Sequence, residues 1–173
     1  MMIETSRLLI RDYLIDDCER VHLYGSLPDF SQYELWGPNS IEDTRSFVSG
    51  AIEKSKESPR FIYDLAVCLK ENQLQIGGCR LGRETDASSI GSLGWAINPD
   101  FQNKGYATEA AHALIDFGFK KLDLSVIYAT CDVRNTPSYK VMEKLGMKRV
   151  GFIKGHKEVK GHIRDTFRYE LLK

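Results

Sequence analysis

The sequence has no long hydrophobic run and no excess of charge of either sign. No stretch approaches the roughly 20 apolar residues of a membrane-spanning helix, and the opening MMIETSRLLIRDY has no apolar run of signal-peptide length. Lysine plus arginine and aspartate plus glutamate number 24 each, so the net charge is zero. We therefore predict a cytoplasmic protein with neither a membrane nor a nucleic acid as partner.

Cysteine and histidine are too few and too scattered to indicate a redox or metal site. The chain has four of each, with no CxxC pair and no HExxH spacing. The cysteines lie in apolar segments of regular period, which favours buried free thiols. They are Cys18, Cys68, Cys79 and Cys131. No metal cofactor is predicted.

The 173 residues, 42% hydrophobic and 28% charged, are typical of one soluble domain with a sizeable core, here residues 1–173. The hydrophobic pattern indicates a mixed α/β fold with the order β-α-α-β-β-β-α-β-α-β-β. The predicted strands cover residues 7–13, 61–69, 74–81, 90–98, 125–131, 148–153 and 163–171. The predicted helices cover residues 16–27, 40–52, 105–122 and 136–145.

Local signals define several of these boundaries. Asp16, with Glu19 three residues later, predicts a capping box at the start of the first helix, and Ser40 is predicted to cap the second. The turn Glu71-Asn72-Gln73 predicts a β-hairpin. Four apolar residues share one face of the last predicted strand: Ile163, Phe167, Tyr169 and Leu171.

The stretch INPDFQNKGYATEAA, residues 97–111, joins a strand to a helix through a short polar loop. The first N–H groups of a helix have no partner within it, and the helix dipole adds about half a positive charge there. Because Gly105 leaves the backbone open, the stretch predicts a phosphate site to which Gln102 and Lys104 can add donors. The alternative is an ordinary turn.

A second segment, NTPSYKVMEKLGM over residues 135–147, is typical of a short, well-capped helix. Pro137 lies in the first turn, where its missing N–H costs little. Gly146 fits the left-handed position of a Schellman finish, with Met147 packing back onto the helix. Asn135 lies at the mouth of this helix, where its amide either caps the helix or bonds a ligand's amide.

Together these two segments resemble signatures of the GCN5-related N-acetyltransferase (GNAT) superfamily. The opening ETSRLLIRDYLIDDCERV and the closing GHIRDTFRYELL are similar to the RimJ/RimL-type ribosomal-protein N-terminal acetyltransferases within it. The resemblance covers nearly the whole chain. It implies a single-domain GNAT fold with a mixed central sheet, in which two parallel strands, residues 93–97 and 125–131, splay apart.

The resemblance implies an acyltransferase with acetyl-CoA as co-substrate and an amine as acceptor. Backbone groups of Trp95, Ala96 and Ile97 would pair with the pantetheine arm, and Asn135 would bond it. The pyrophosphate would lie against the amides of a longer run: Gln102, Asn103, Lys104, Gly105, Tyr106, Ala107 and Thr108. The resemblance also allows for a homodimer.

Catalysis is assigned by the same resemblance to Ser138, which would flank the thioester and donate a proton to the thiolate. The alternative is a serine that bonds its own backbone. Two positions depart from the superfamily. Met142 stands where many members have a tyrosine acid, and Tyr139 points about 60–100° away around the helix. Ser92 stands where this subfamily commonly has a glutamate.

The missing glutamate bears on the choice of acceptor. Glu34, in a substrate-side loop, and Asp64, on an alternating strand, are candidate replacements. A site without a strong base should favour the α-amine of a protein or peptide N-terminus, because its pKa is lower than that of a lysine side chain.

The loop over residues 29–39 is predicted to hold the acceptor. Tyr33, Trp36 and Pro38 would form the wall of the slot, with a core plug as the alternative for Trp36. Two other functions stay open: a small-molecule N-acetyltransferase acting on a polyamine, amino acid or antibiotic, and a catalytically silent acyl-CoA-binding module. The lack of GxxxxGK[ST] excludes a nucleotide P-loop.

Overall fold

Eight strands form one sheet in the computed structural model, which describes residues 1–83, 85 and 87–173. The strands are β1 (Met2–Glu4), β2 (Leu8–Asp12), β3 (Ile62–Leu69), β4 (Gln75–Arg83), β5 (Ile90–Ile97), β6 (Val126–Asp132), β7 (Lys148–Val159) and β8 (His162–Leu172). The helices are α1 (Cys18–Gly25), α2 (Ile41–Ser55), α3 (Tyr106–Lys121) and α4 (Thr136–Lys144). The predicted polar loop after β4 includes positions 84 and 86, which lie outside the described residues.

The predicted order of elements is confirmed, with one strand added at the start. Strand β1 pairs antiparallel with β2, so that Ile3 lies opposite Ile10. Its three residues are too few to show the alternation by which a longer strand is predicted. The predicted hairpin between β3 and β4 is also present, with Gln73 in a left-handed conformation in its turn.

The strand order β1-β2-β3-β4-β5-β6-β8-β7 places the parallel pair β5 and β6 in the middle of the sheet. These two strands pair only at their beginnings, from Ile90 opposite Val126 to Ser92 opposite Tyr128. Beyond Ser92 the strands separate, while β5 continues to pair with β4 and β6 with β8. The predicted splay is therefore confirmed, and it leaves one edge of residues 93–97 facing a gap.

Both faces of the sheet are covered, which explains why β3 is buried along most of its length. Leu65 and Val67 belong to a core with α3 and α4, whereas Ala66 and Cys68 belong to a second core with α1 and α2. Helix α3 approaches the sheet closely through small residues, Ala110 and Ala111, that are fully buried. The four cysteines are buried free thiols, as predicted.

The helix starts agree only in part with the predictions. Ser40 caps α2 as predicted, since its hydroxyl accepts from the Asp43 amide and the Asp43 carboxylate accepts from the Ser40 amide. The capping box at Asp16 and Glu19 is wrong. A 3-10 turn precedes α1, and the carboxylate that accepts from the Leu14 amide, at 2.8 Å, is that of Asp17. The same carboxylate also pairs with the guanidinium of Arg11.

The C-terminal hairpin is longer than predicted. Strand β7 runs to Val159, six residues past the expected end, and its pairing with β8 shifts between Ile153 and Lys157. The hairpin projects past the sheet, so Ile163 remains 75% exposed although it shares a face with packed residues. Arg164 is buried instead.

Candidate active site

A cavity of about 720 Å³ opens where β5 and β6 separate. Its walls come from two parts of the chain. One wall belongs to the sheet and α4, and it includes Leu93, Gly94, Trp95, Ala96, Ser138 and Met142. The other comes from α1, α2 and the loop between them, and it includes Tyr24, Glu34, Trp36, Pro38, Asp43 and Phe47.

The loop before α3 presents unpaired backbone amides. Gly105 caps the helix with φ of 82°, a left-handed conformation that favours glycine. The Gln102 amide donates to the Pro99 carbonyl at 3.2 Å. Among the described residues, none of the amides from 103 to 108 has an acceptor. This is the arrangement that an anion site at a helix N-terminus requires.

The side chains expected to add donors instead close this loop on itself. Gln102 Nε2 donates to the Ile97 carbonyl at 2.9 Å, and Lys104 Nζ donates to the Asp100 carbonyl at 3.1 Å. Asn103 has φ of 60°, a second left-handed residue in the turn. Gln102 and Lys104 thus fix the shape of the loop, and each retains further N–H groups for a ligand.

A contact from the N-terminus, which sequence reasoning missed, holds the same loop. Glu109 in the first turn of α3 accepts from Thr5 Oγ1 at 2.6 Å and from Arg7 Nε at 2.7 Å. Arg7 Nη1 then donates to the Lys104 carbonyl at 2.9 Å, and its guanidinium lies 4.6 Å from the centre of the Tyr106 ring. Arg7 therefore connects the N-terminal segment to the loop of free amides.

Neutralising Glu109 is expected to weaken coenzyme A binding about tenfold. Desolvation alone would raise the pKa of this carboxyl, but hydrogen bonds from Thr5 and Arg7 lower it from 4.5 to about 2. The support that Glu109 gives is therefore complete above pH 4.5 and is lost as the pH falls through about 2. In Glu109→Gln, Arg7 loses its charged partner and the loop loses its anchor. Titration calorimetry with coenzyme A measures the change in Kd.

Asp116→Asn is the matched control for that variant, because Asp116 lies in the same helix and pairs with Lys120 at 2.8 Å on an exposed surface. Exposed pairs of this kind contribute little to stability. Its Kd for coenzyme A should equal that of the unmodified protein. Equal Kd values for the two variants would show that Glu109 does not support the loop.

Helix α4 has the predicted ends and carries Ser138 into the cavity wall. The Gly146 amide donates to the Glu143 carbonyl and the Met147 amide to the Met142 carbonyl, the two bonds of a Schellman finish. At the start, Asn135 Oδ1 accepts from the Ser138 amide at 3.2 Å. Asn135 is thus a helix cap, and within the described chain its Nδ2 group has no acceptor.

The Ser138 hydroxyl lies beside the thiol of Cys131. Burial raises the pKa of that thiol to about 11, and the nearby charge of Arg164 opposes the shift. Cys131 therefore stays a neutral thiol at physiological pH. No hydrogen bond joins the Ser138 hydroxyl to its own backbone within the described chain, so the hydroxyl is available to a group in the cavity.

The structure shows what surrounds the two positions that depart from the superfamily pattern. Met142 is 1% exposed and lines the cavity. Tyr139 does not replace a tyrosine there, because its hydroxyl donates to Thr136 Oγ1 at 3.3 Å and its ring packs against Phe167. Ser92 Oγ donates to the Gly82 carbonyl at 3.3 Å. At the position where the subfamily commonly has a glutamate, this chain therefore has a hydroxyl that is bonded to the sheet.

The two candidate replacement carboxylates differ in their surroundings. Asp64 is buried and paired, with Arg80 Nη1 at 3.2 Å and Lys54 Nζ at 3.7 Å. Glu34 lines the cavity with no hydrogen-bond or ion-pair partner among the described residues. Burial raises the pKa of Glu34, and the nearby charges of Arg164 and Lys160 oppose the shift.

Two of the three residues predicted to form the acceptor wall line this cavity. Trp36 and Pro38 line the cavity, and Trp36 is 38% exposed, so it is not a core plug. Tyr33 is not among the described residues that form the wall. The guanidinium of Arg134 lies 5.5 Å from the centre of its ring.

Within residues 1–83, 85 and 87–173, no group of three or more His, Cys, Asp and Glu side chains could hold a metal ion. In the same residues, no helix has both the length and the apolar character needed to cross a bilayer.

Known proteins share this architecture. Residues 7–148 match the family model of the acetyltransferase (GNAT) domain. The chain is 38% identical over 154 residues to a Bacillus subtilis protein named uncharacterized N-acetyltransferase YnaD, which covers 89% of this chain and 86% of that protein. A solved GNAT-family acetyltransferase from Bacillus anthracis is 37% identical, with a TM-score of 0.87 over 99% of this chain and 98% of that chain.

A solved complex of coenzyme A with RimL, a ribosomal alpha-N-protein acetyltransferase, has a TM-score of 0.86 at 18% identity and covers 99% of this chain and 98% of that chain. At that identity the likeness is one of fold. The match of the family model to most of the chain, and the sequence identity along the whole of the Bacillus anthracis structure, confirm the resemblance read from the sequence. The chain belongs to the GNAT family of N-acetyltransferases, which take their acetyl group from acetyl-CoA.

Proposed function

We propose that the protein acetylates the α-amine of a peptide or protein N-terminus. The supporting observation is the weak provision for a base on the sheet side of the cavity. Ser92 bonds to the Gly82 carbonyl, and Asp64 is neutralised by Arg80 and Lys54. A site of this kind works best with an amine that is already partly neutral at physiological pH.

The free-energy difference between amine classes is large. An α-amine with a pKa of about 7.7–8.0 is roughly 10–20% neutral at pH 7, whereas a lysine side chain with a pKa of about 10.4 is about 0.04% neutral. Reaching the reactive form therefore costs about 1 kcal/mol for the α-amine and about 4.6 kcal/mol for lysine. The difference is more than a hundredfold in the concentration of the reacting species.

The residues present fit acetyl-CoA as the donor. The amides of residues 103–108, which have no acceptor in the described part of the chain, suit the pyrophosphate. The open edge of Trp95, Ala96 and Ile97 suits the amides of the pantetheine arm, and the free Nδ2 of Asn135 suits one of its carbonyls. The thioester would then lie in the cavity beside Ser138.

Transfer then needs one bond to form and one to break. The neutral amine attacks the thioester carbonyl carbon, the C–N bond forms, and the C–S bond breaks. Ser138 donates its hydroxyl proton to the thiolate as sulfur leaves, and it recovers a proton from the amine nitrogen, which must lose one. The products are the amide and the free thiol of coenzyme A, and one proton from the starting ammonium goes to solvent.

An acceptor panel tests the proposal. A peptide with a free α-amine and no lysine should show a kcat/KM about 100-fold higher than the same peptide with a blocked N-terminus and one lysine. Release of coenzyme A thiol measures turnover, and mass spectrometry locates the acetyl group. Spermidine and free amino acids form the third arm of the panel. Equal or faster turnover of lysine or spermidine would show that the protein is a side-chain or small-molecule N-acetyltransferase.

A silent acyl-CoA-binding module is the second candidate, favoured by Met142 and Ser92 at the positions where related enzymes carry an acid and a base. Such a module would bind coenzyme A tightly and release no thiol with any amine of the panel. Thiol release with any acceptor would exclude it.

A further inference from the structure

The loop between α1 and α2 places one carboxylate in the cavity without a partner. The Glu34 amide donates to the Ser31 carbonyl at 2.9 Å, which fixes the backbone at this point. Glu34 is half-buried and lines the cavity that Ser138 also lines. Within the described residues, its two oxygens accept no hydrogen bond.

Two cations of the C-terminal hairpin hold this loop without pairing with the carboxylate. Lys160 Nζ donates to the carbonyl and the hydroxyl of Ser31, the latter at 3.0 Å. Arg164 Nη1 donates to the Tyr33 carbonyl at 3.2 Å, and Arg164 is itself buried. The hydrogen bonds of both cations go to the loop, so Glu34 is positioned by its neighbours and keeps its own oxygens free.

The other acidic groups of the cavity do not serve as a base, because they either have hydrogen-bond or ion-pair partners or stay protonated at physiological pH. Asp43 accepts from the amide and the hydroxyl of Ser40, at 3.0 and 2.8 Å, and these bonds lower its pKa. Burial raises the pKa of Tyr24 to about 12 and raises that of Tyr13 well above 10. Burial likewise raises the pKa of the Cys79 thiol. The Asp64 carboxylate is paired with Arg80.

Glu34 and Ser138 line the same cavity of about 720 Å³, Glu34 from the loop between α1 and α2 and Ser138 from α4. An amine between the two walls would have a carboxylate on one side and a hydroxyl on the other.

We propose that Glu34 is the catalytic base: its carboxylate binds the ammonium group of the acceptor and removes one proton before attack. This assignment rests on the proposed function: a carboxylate is a weak base, which suits an α-amine with a pKa of about 7.7–8.0 better than a lysine side chain with a pKa of about 10.4. The proton passes from nitrogen to a Glu34 oxygen, and the nitrogen lone pair becomes available for the C–N bond. After the C–S bond breaks, Glu34 releases that proton to solvent through the open side of the cavity.

Glu34→Gln tests the assignment, with an N-terminal peptide as acceptor. The expected result is a fall in kcat of about 100-fold at pH 7, with the Kd for coenzyme A unchanged, since a positioned base contributes about 10²–10⁴ in rate. The difference in kcat between Glu34→Gln and the unmodified protein should narrow as the pH rises past the pKa of the α-amine, because a neutral amine needs no base. In the unmodified protein, kcat/KM should fall at acid pH as Glu34 protonates, whereas in the variant it should already fall as the amine itself protonates, below a pH of about 8.

Two further variants complete the design. Glu42→Gln removes the same charge from an exposed position in the first turn of α2 and should leave the rate and the pH profile unchanged. Glu34→Asp keeps the carboxylate and should recover part of the lost rate, which a merely structural role would not produce.

Each outcome decides the assignment. A rate for Glu34→Gln within threefold of the unmodified protein, with the same pH profile, overturns it while leaving the proposed function intact. The assignment is also overturned if Glu34→Gln, Glu34→Asp and Glu42→Gln are all slower than the unmodified protein by a factor that does not change with pH, with no recovery of rate in Glu34→Asp. If the unmodified protein acetylates no primary amine, both the proposed function and the role of Glu34 fail.

Discussion

Gly105→Val is expected to raise the Kd for coenzyme A at least 100-fold. The backbone at Gly105 has φ of 82°, which a β-branched residue adopts only with strain. A Cβ at this position would lie 3.3 Å from Arg7 Nη2, the guanidinium that holds the loop. The valine methyl groups would also crowd the amides that suit a pyrophosphate. Calorimetric titration with coenzyme A measures the loss.

The same substitution at Gly161 is a control that separates the effect of backbone strain from the loss of the coenzyme A site. Gly161 also has a left-handed backbone, with φ of 79°, and a Cβ there would meet nothing within 4 Å. Gly161→Val should therefore lose a similar free energy of unfolding, on the order of 1–3 kcal/mol for a strained backbone, while binding coenzyme A normally. If Gly105→Val also bound normally, the loop before α3 would not be the pyrophosphate site.

Ser138→Ala is expected to lower kcat about 10- to 100-fold with little change in the Kd for coenzyme A. The cap of α4 is made by the Ser138 amide and Asn135 Oδ1, so the substitution leaves the helix start intact. What is lost is a hydroxyl that lines the cavity and could protonate the departing thiolate. Steady-state release of the thiol gives kcat, and a binding titration gives Kd.

Two companions sharpen that measurement. Ser138→Thr keeps the hydroxyl and should retain most of the rate. Ser55→Ala removes a hydroxyl that donates to the Ile52 carbonyl at the end of α2, outside the cavity, and should leave kcat unchanged. Normal turnover of Ser138→Ala would mean that solvent or another group protonates the thiolate.

Features fixed by neighbouring residues could be predicted from the sequence. Gly105 after a proline-containing loop indicated a helix start with free amides, and the amides of 103–108 in the described chain have no acceptor. Pro137 and Gly146 indicated both ends of α4, and Ser40 indicated the cap of α2. In each case the donor and the acceptor lie within a few residues, so sequence spacing alone sets their geometry.

The sequence did not predict contacts with a partner on another strand, helix or loop. Asp17 rather than Asp16 accepts from the Leu14 amide at the 3-10 turn before α1, and Arg11 on β2 pairs with the same carboxylate. Arg7 and Glu109 are more than 100 positions apart, and nothing in the local sequence pairs them. The Tyr33 ring lies against the guanidinium of Arg134, a residue far from it in the sequence.

The sequence by itself determined the family, the order of the elements and the open amides before α3, all of which depend on contacts between near neighbours. The tertiary structure decided which carboxylate is free. Asp64 and Glu34 are both carboxylates, but the sheet brings Arg80 beside Asp64, while Lys160 and Arg164 donate to backbone carbonyls near Glu34. Whether a charge is paired depends on which strands meet, and long-range pairing of the sheet sets that.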